Sequence, residues 1–369
     1  MRVLSCVGRS YYGDAVAVNP IYYYFVDVLR GMGHEVCHFD HRDQARWSKP
    51  SMNDAFISLV RGGRFDCVLV EAAADEFYPD ALDEARNETT TIMFDSDDDF
   101  RWLKYSSRWA AHFTYVVTTY RHIYEEARRT HGNVLLSQWG CTGLYDGLRT
   151  RKDIDVSFVG GIHTSRMKRL RSLQASVPLE IYGAGASRAD ATVGSLVKIA
   201  RHRISGGRGT RRALRSWVMS RLDARGGGLT YAEANELWCR SKVSVTPLDL
   251  APEQAADKLS MAEVFGRPTD MQVNNPWGWP YQIKGRVFEM GTTGTLMLCD
   301  RNPMLDEYYV RGREYDDFED HSECVEKVRF YVKRQDARYR IAAAYHERTV
   351  REHLWTHRFA RLFSEAGLS

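Results

Sequence analysis

Residues 281 to 300 read YQIKGRVFEMGTTGTLMLCD, and they join an amphipathic helix to a buried strand. Val287, Phe288 and Met290 give the segment from Lys284 to Met290 an apolar side, and Lys284, Arg286 and Glu289 lie off it. Thr292, Thr293 and Gly294 predict the stop, because glycine enters the left-handed conformation that closes a helix end at little steric cost. Thr295 to Cys299 then make an apolar run of strand length, ending on an acid, Asp300. A cationic helix start with a glutamate one to two turns later suits a phosphorylated, hydroxylated ligand. Cations and backbone N–H groups take phosphates, and a carboxylate accepts from sugar hydroxyls.

Around that stretch the chain alternates strand and helix. The first set is strand Val3 to Val7, loop Gly8 to Asn19, helix Pro20 to Met32, strand His34 to Phe39, helix Ser51 to Arg61, strand Asp66 to Glu71 and helix Pro79 to Asn87. It continues through strand Thr89 to Phe94, helix Phe100 to Ala111, strand Phe113 to Thr118, helix Arg121 to Thr130 and strand Asn133 to Gln138. The pattern lapses between Gly140 and Asp153, where a linker is expected. A second set follows: strand Ile154 to Val159, helix Thr164 to Ser176, strand Leu179 to Tyr182, helix Tyr231 to Ser241, strand Val243 to Thr246, then the opening stretch. Ser322 to Phe363 is nearly all helical in pattern. Such alternation requires right-handed crossovers and hence parallel sheets covered on both faces. The expectation is an α/β chain of two Rossmann-like domains, with the ligand in a cleft where the strand ends of both halves face each other.

Bulk properties agree with this. A chain of 369 residues is too long for one comfortable core, and two domains of about 150 residues are the default. With 44% hydrophobic and 27% charged residues the composition is that of a soluble globular protein. No apolar run approaches the ~20 residues that cross a bilayer, and MRVLSCVGRSYYGD reads as strand and loop, not as a signal peptide, so a cytoplasmic location is expected. The seven cysteines form no CxxC pair and read as small buried side chains in a reducing compartment. A net charge of +3 is too small to argue for a polyanionic partner by itself. Arginine outnumbers lysine 41 to 10, which a GC-rich genome explains more cheaply than a wealth of phosphate forks.

Two further stretches carry candidate chemistry. After the strand Ile154 to Val159 comes GGIHTSRMKR, where Gly160 and Gly161 open a turn, His163 follows, and Arg166 is near enough to fork a phosphate. The same residues would also make an ordinary strand–helix turn with a solvent arginine. TIMFDSDDDFRW sets Asp95, Asp97, Asp98 and Asp99 after a buried strand. One carboxylate there, Asp95 or Asp97 being nearest the strand end, would serve as general base toward an acceptor hydroxyl. The DxD spacing also suits a divalent cation, which is the less favoured reading. Capping of the next helix by Asp98 or Asp99 is the structural alternative. In the first loop Tyr11, Tyr12 and Asp14 are candidates for the acceptor side, with Asp14 in reserve as base.

KGRVFEMGTTGTLMLCD at 284–300 and GREYDDFEDHSECVEKVRFYVKRQDARYRIAAAYHERTVREHLWTHR at 312–358 resemble the C-terminal half of GT-B glycosyltransferases of the spore-maturation (CgeB-like) and group 1 families. The likeness reaches upstream to DIDVSFVGG and IYGAG, covering roughly 153–358, with about 187–228 poorly matched. It implies a GT-B fold with three parts: residues 1–145 on the acceptor side, 153–345 binding the nucleotide sugar with a basic insertion at 187–228, and 346–369 as a helix crossing back to the first domain. It implies transfer of a sugar from a nucleoside diphosphate, UDP favoured, to a hydroxyl, with no obligatory metal. In such enzymes the glutamate matching Glu289 accepts from the ribose, and N–H groups near it, at Thr292 and Thr293 here, meet the diphosphate. The resemblance likewise turns the Gly160–Gly161–His163–Arg166 loop toward the diphosphate, sets Gly183 near base or ribose, and makes Lys284 and Arg286 counter-charges for the leaving group. Many relatives carry a second glutamate eight positions before the first; here that position is Tyr281.

From Lys198 to Arg225 nine basic residues face one acid, Asp223, in an amphipathic pattern. This suits nucleic acid or an anionic membrane surface, or equally an insertion packed on its own domain. In NNPWGWPYQ, Trp277 and Trp279 are placed to stack on a sugar or base. Beside sugar transfer, two other readings fit: a nucleotide-sugar epimerase or hydrolase of the same fold, and a non-catalytic binding protein.

Overall fold

The computed structural model describes residues 1–11, 14–43, 47–72, 75–162, 164–183, 224–225, 229–248 and 283–368. The readings of Tyr12, His163, Trp277, Trp279, Tyr281 and nearly all of 187–228 lie outside these residues. The described chain divides into two units, the first drawn from 1–142 and 353–368, the second from 143–248 and 283–352.

Unit 1 contains β1 (Arg2–Cys6), β2 (Ser10–Tyr11), β3 (Asp14–Val18), α1 (residues 20–31), β4 (Glu35–Phe39), α2 (Lys49–Gly63) and β5 (Cys67–Val70). It continues with α3 (Pro79–Glu88), β6 (Thr90–Asp95), α4 (residues 98–112), β7 (Tyr115–Thr118), α5 (Arg121–Ala127) and β8 (Val134–Leu136). Six strands form one parallel sheet in the order β4-β1-β5-β6-β7-β8. The run CVLV of β5 is buried at every position, as a parallel strand covered on both faces requires. The stretch 8–19, expected as a plain loop, instead pairs β2 with β3 as an antiparallel hairpin in which Tyr11 faces Asp14. Two expected helices, α1 and α4, each include a wide π-type turn, Tyr23–Val28 and Trp102–Ser106. Residues 353–368 complete this unit. The Trp355 ring, 1% exposed, stacks on Tyr24 at 4.9 Å and on Phe359 at 5.4 Å, so helix α11 (Trp355–Glu365) shares the core of the first strands. Its entry is tied by two backbone bonds, Cys141 N–H to His353 O at 2.8 Å and Trp355 N–H to Cys141 O at 2.9 Å.

Unit 2 contains β9 (Ile154–Val159), α6 (Thr164–Gln174), β10 (Leu179–Tyr182), β11 (Ala224–Arg225), α7 (Tyr231–Arg240), β12 (Ser241–Thr246) and α8 (Gly285–Glu289). After it come β13 (Leu296–Asp300), β14 (Asp316–Phe318), α9 (His321–Lys333) and α10 (Gln335–Glu352). Its sheet is also parallel, ordered β11-β10-β9-β12-β13-β14, so the strand order reverses between β9 and β12. The helix of the opening stretch runs a little shorter than expected and ends in a 3₁₀ turn, Met290–Thr292. Gly294 then takes φ +66°, and a Cβ there would lie 2.5 Å from Leu148 Cα, so both conformation and space exclude a side chain. β14 was not legible in the sequence because its residues, DDF, are poor strand formers. Ion pairs explain it: Asp317, fully buried, meets Arg301 at 3.2 Å and Arg311 at 2.8 Å, while Asp316 meets Lys327 at 3.0 Å. A capping box at Thr230 and Glu233 starts α7, and the Asp320 side chain caps α9. Six of the seven cysteines are buried and all seven are unbridged, as the sequence suggests.

Candidate functional site

In a doubly wound sheet, ligands bind outside the carboxyl ends of the strands where the strand order reverses. In unit 2 that place is the end of β9 beside β12, and it is where the sequence set Gly160, Gly161 and Arg166. Gly160 turns the chain with φ +149°, and a Cβ there would collide with the Arg286 guanidinium. Arg286 Nη1 donates to Val159 O at 3.1 Å, and Arg166 Nη1 donates to Gly161 O at 2.6 Å. Both guanidiniums lie against one ring, Phe158, at 5.8 Å for Arg286 and 5.9 Å for Arg166. Two residues 120 positions apart in sequence, on α6 and α8, are thus brought to one turn.

The electrostatics of this pair are unusual. Enclosure and the neighbouring Arg166 charge pull Arg286 down to about 9. Arg166 is 2% exposed, and no carboxylate among the described residues forms an ion pair with Arg286. Like charges brought together out of water are costly unless an anion offsets them. A diphosphate, with several acceptor oxygens, is such an anion and matches the fork of a guanidinium.

Glu289 lies one turn beyond Arg286, 2% exposed, with Oε2 accepting from the Tyr231 hydroxyl of α7. Tyr231 was not singled out in the sequence; its only signal was its place at the start of a capped helix. Lys284, partly exposed, is the residue before α8 and gives no side-chain cap. Gly183 follows β10 and packs closely on Ile162, where a Cβ would stand 2.5 Å from Ile162 Cδ1. Thr292 and Thr293 are not with this group. They are buried before β13, at the opposite end of the sheet. The Thr293 hydroxyl donates to Met290 O at 2.7 Å, and Thr292 O accepts from Gly147 N–H at 2.9 Å. Their expected contact with a diphosphate gives way to a structural one, centred on Lys152. That ammonium donates to Gly147 O, Cys239 O and Thr293 O at 3.1, 2.6 and 2.8 Å, and burial pulls it down to about 8.

On the same carboxyl edge a cavity of about 780 Å³ opens between α6 and the start of α9. Leu170, Leu173, Val245 and Phe318 line its apolar side. Asp300, the acid that ends the opening stretch, lines it too, paired with Arg169 at 3.1 Å and accepting from Leu248 N–H at 2.9 Å. The volume is within the usual range of small-molecule sites.

In unit 1 the acidic cluster behaves differently from expectation. Asp95, the last residue of β6, is 3% exposed and pairs with Arg101 at 3.2 Å, so it is a buried counter-ion. Its Oδ1 accepts the Asp97 N–H at 2.9 Å. Asp97, partly exposed, occupies the position before α4 without a side-chain cap bond. Asp98 is wholly buried within the first turn of α4. Around them, at the ends of β4 and β5, sit His41, Arg42, Glu71 and Glu76, none foreseen from sequence. Arg42 pairs with Glu71 at 2.7 Å and with Glu76 at 3.4 Å, and burial holds His41 neutral, at about 3. Among the described residues no three His, Cys, Asp or Glu side chains converge as a metal cage. Tyr11 and Asp14 are backbone partners across the hairpin.

Residues 189–364 match the model of a family described as glycosyl transferase-like. No curated protein matches the chain. Among solved structures, an α-glucosyltransferase in complex with UDP and a 13-mer DNA containing an HMU base is similar over 99% of this chain and 98% of its own, at 12% identity and TM-score 0.57. Sucrose-phosphate synthase from Thermosynechococcus elongatus is similar over 99% and 98%, at 11% identity and TM-score 0.59. The chain spans 58% of the length of TarM, at 8% identity and TM-score 0.52. These likenesses show the fold: two parallel-sheet units in the GT-B arrangement of elements.

Proposed function

We propose that the protein, whose fold is GT-B, is a glycosyltransferase that moves a sugar from a uridine diphosphate donor to an acceptor hydroxyl, with the diphosphate held by unit 2 at Arg166 and Arg286. The observation that carries this reading is the crowding of those two guanidiniums at the glycine turn after β9. As the bond from the sugar to the diphosphate breaks, negative charge grows on the leaving oxygen. Cations fixed in advance stabilise that charge without reorganising at the moment of reaction. Arg286 is the principal counter-charge, Arg166 the second, and Lys284 the outermost. Glu289 accepts from a ribose hydroxyl, and the Tyr231 hydroxyl holds its carboxylate in place.

Unit 1 supplies the acceptor side. Asp97, the partly exposed carboxylate after β6, is the general base of this reading in place of Asp95. For the acceptor, the similar α-glucosyltransferase was solved with DNA, and 198–225 carries nine cations against one acid. A hydroxyl-bearing nucleic acid is therefore the acceptor to offer first.

The test is a thermal-shift panel of UDP, GDP, dTDP and CMP, followed by incubation of the stabilising nucleotide's sugars with and without acceptor. Transfer only when acceptor is present supports the proposal. Equal turnover of donor alone identifies an epimerase or hydrolase, and no shift with any nucleotide removes the donor site.

A further inference from the structure

We infer that Asp98 sits in unit 1 as a neutral carboxylic acid, sharing one proton through the Ser106 hydroxyl with Asp95, and that this couple fixes the turn carrying Asp97. The inference stands on unit 1 alone and does not depend on the sugar-transfer reading.

Ser106 Oγ lies 3.0 Å from Asp95 Oδ2 and 2.5 Å from Asp98 Oδ1. A hydroxyl has one proton and can donate to only one of them, so the other contact needs a proton from a carboxyl group. Asp95 is the charged member, because its Oδ2 also meets Arg101 at 3.2 Å and its Oδ1 accepts the Asp97 N–H. That leaves Asp98 Oδ1 as the hydroxyl donating to Ser106 Oγ, which passes its own proton toward Asp95. Asp98 Oδ2, fully buried, has no hydrogen-bond partner among the described residues. An ionised carboxylate with one oxygen bare in the interior is far more costly than a neutral acid.

The surroundings agree. Asp98 faces Asp95 from β6, Arg101 and Ser106 from α4, and the Thr118 hydroxyl from β7. Beyond these stand Glu71 and Glu76 past β5, and His41 and Arg42 past β4. Four carboxyls, Glu71, Glu76, Asp95 and Asp98, are gathered with two guanidiniums, Arg42 and Arg101, while His41 is neutral. A proton on Asp98 removes part of that surplus. Burial and the Asp95 charge both push Asp98 well above the usual carboxylate range, and burial pushes Glu71 up as well.

An acid whose folded value is raised contributes stability that is full below its unfolded value of about 4 and is lost as pH climbs toward the folded one. Asp98→Asn places an amide donor where the acid hydroxyl stands. Its melting midpoint at neutral pH should stay within about 2 °C of the parent, and it should lack part of the parent's decline as pH rises above the unfolded value of about 4. Asp95→Asn removes the charge paired with Arg101 and should lower the midpoint by roughly 10 °C. Carbon-13 carboxyl spectra of the unaltered protein give a second readout, free of any folding failure in a variant: the Asp98 signal should hold its protonated position at neutral pH. The inference is overturned if Asp98→Asn destabilises as much as Asp95→Asn, or if the Asp98 carboxyl titrates near 4.

Discussion

Arg286 and Arg166 are held side by side at the end of β9, and the charge of the second pulls the first down to about 9. An arginine is ordinarily charged at any pH that a protein tolerates. Holding two at one glycine turn disfavours the charged form of Arg286, and in the proposed reading a diphosphate offsets that crowding.

Replacing Arg286 with Met removes that crowding along with the contact proposed for the ligand. The nucleotide-free variant should melt at or above the parent temperature, while the shift produced by UDP disappears. Scanning fluorimetry with and without UDP checks both halves. A variant that loses stability and keeps the shift contradicts the assignment.

Gly160 should tolerate no side chain. Its φ of +149° is open mainly to glycine, and a Cβ would enter the Arg286 guanidinium. Gly160→Ala is expected to cost about 1–3 kcal/mol of stability and to weaken UDP at least tenfold, read by denaturant melts and calorimetry.

Tyr231→Phe leaves Glu289 in place and deletes the hydroxyl that donates to its Oε2. Hydrogen bonds to charged groups are worth about 1.5–3 kcal/mol, so UDP affinity should fall by roughly tenfold to a hundredfold. Glu289→Ala should cost at least as much. If uridine and UDP lose equally in both variants, the loss belongs to the ribose end, as proposed.

Lys152 gives a pH signature unrelated to the ligand. Its folded value, about 8, lies below the unfolded value of about 10.4, so burial penalises the charged form at neutral pH. Between about pH 8 and about pH 10.4 the unfolded chain binds more protons, and this residue therefore makes stability rise with pH. In Lys152→Met that rise is absent, and the variant is weaker at neutral pH by roughly 3 kcal/mol because three carbonyls lose their donor. Chemical denaturation of both proteins across that window is the check.

Much of the architecture was legible because parallel strands buried on both faces read as unbroken apolar runs, as in CVLV of β5 and LMLC of β13. Gly294 and the helix before it were legible for a local reason, a stop that only glycine fits. What stayed hidden depended on partners distant in sequence. β14 needs Arg301, Arg311 and Lys327 to seat its aspartates, and the Tyr231–Glu289 bond joins residues 58 apart. Asp95 and Asp98 look interchangeable with Asp97 in DSDDD until Arg101 and Ser106 fold over them. Thr292 and Thr293 followed Glu289 closely enough to be assigned its ligand, yet a helix carries residues three or four positions apart to a different depth of the sheet.

The most direct measurement compares uridine with UDP by calorimetry on the parent, Arg166→Met and Arg286→Met. The account predicts that UDP binds the parent at least a hundredfold tighter than uridine and that either substitution removes most of that advantage, about 2 kcal/mol or more. Equal affinity for uridine and UDP in the parent, or an unchanged advantage in Arg286→Met, would contradict it.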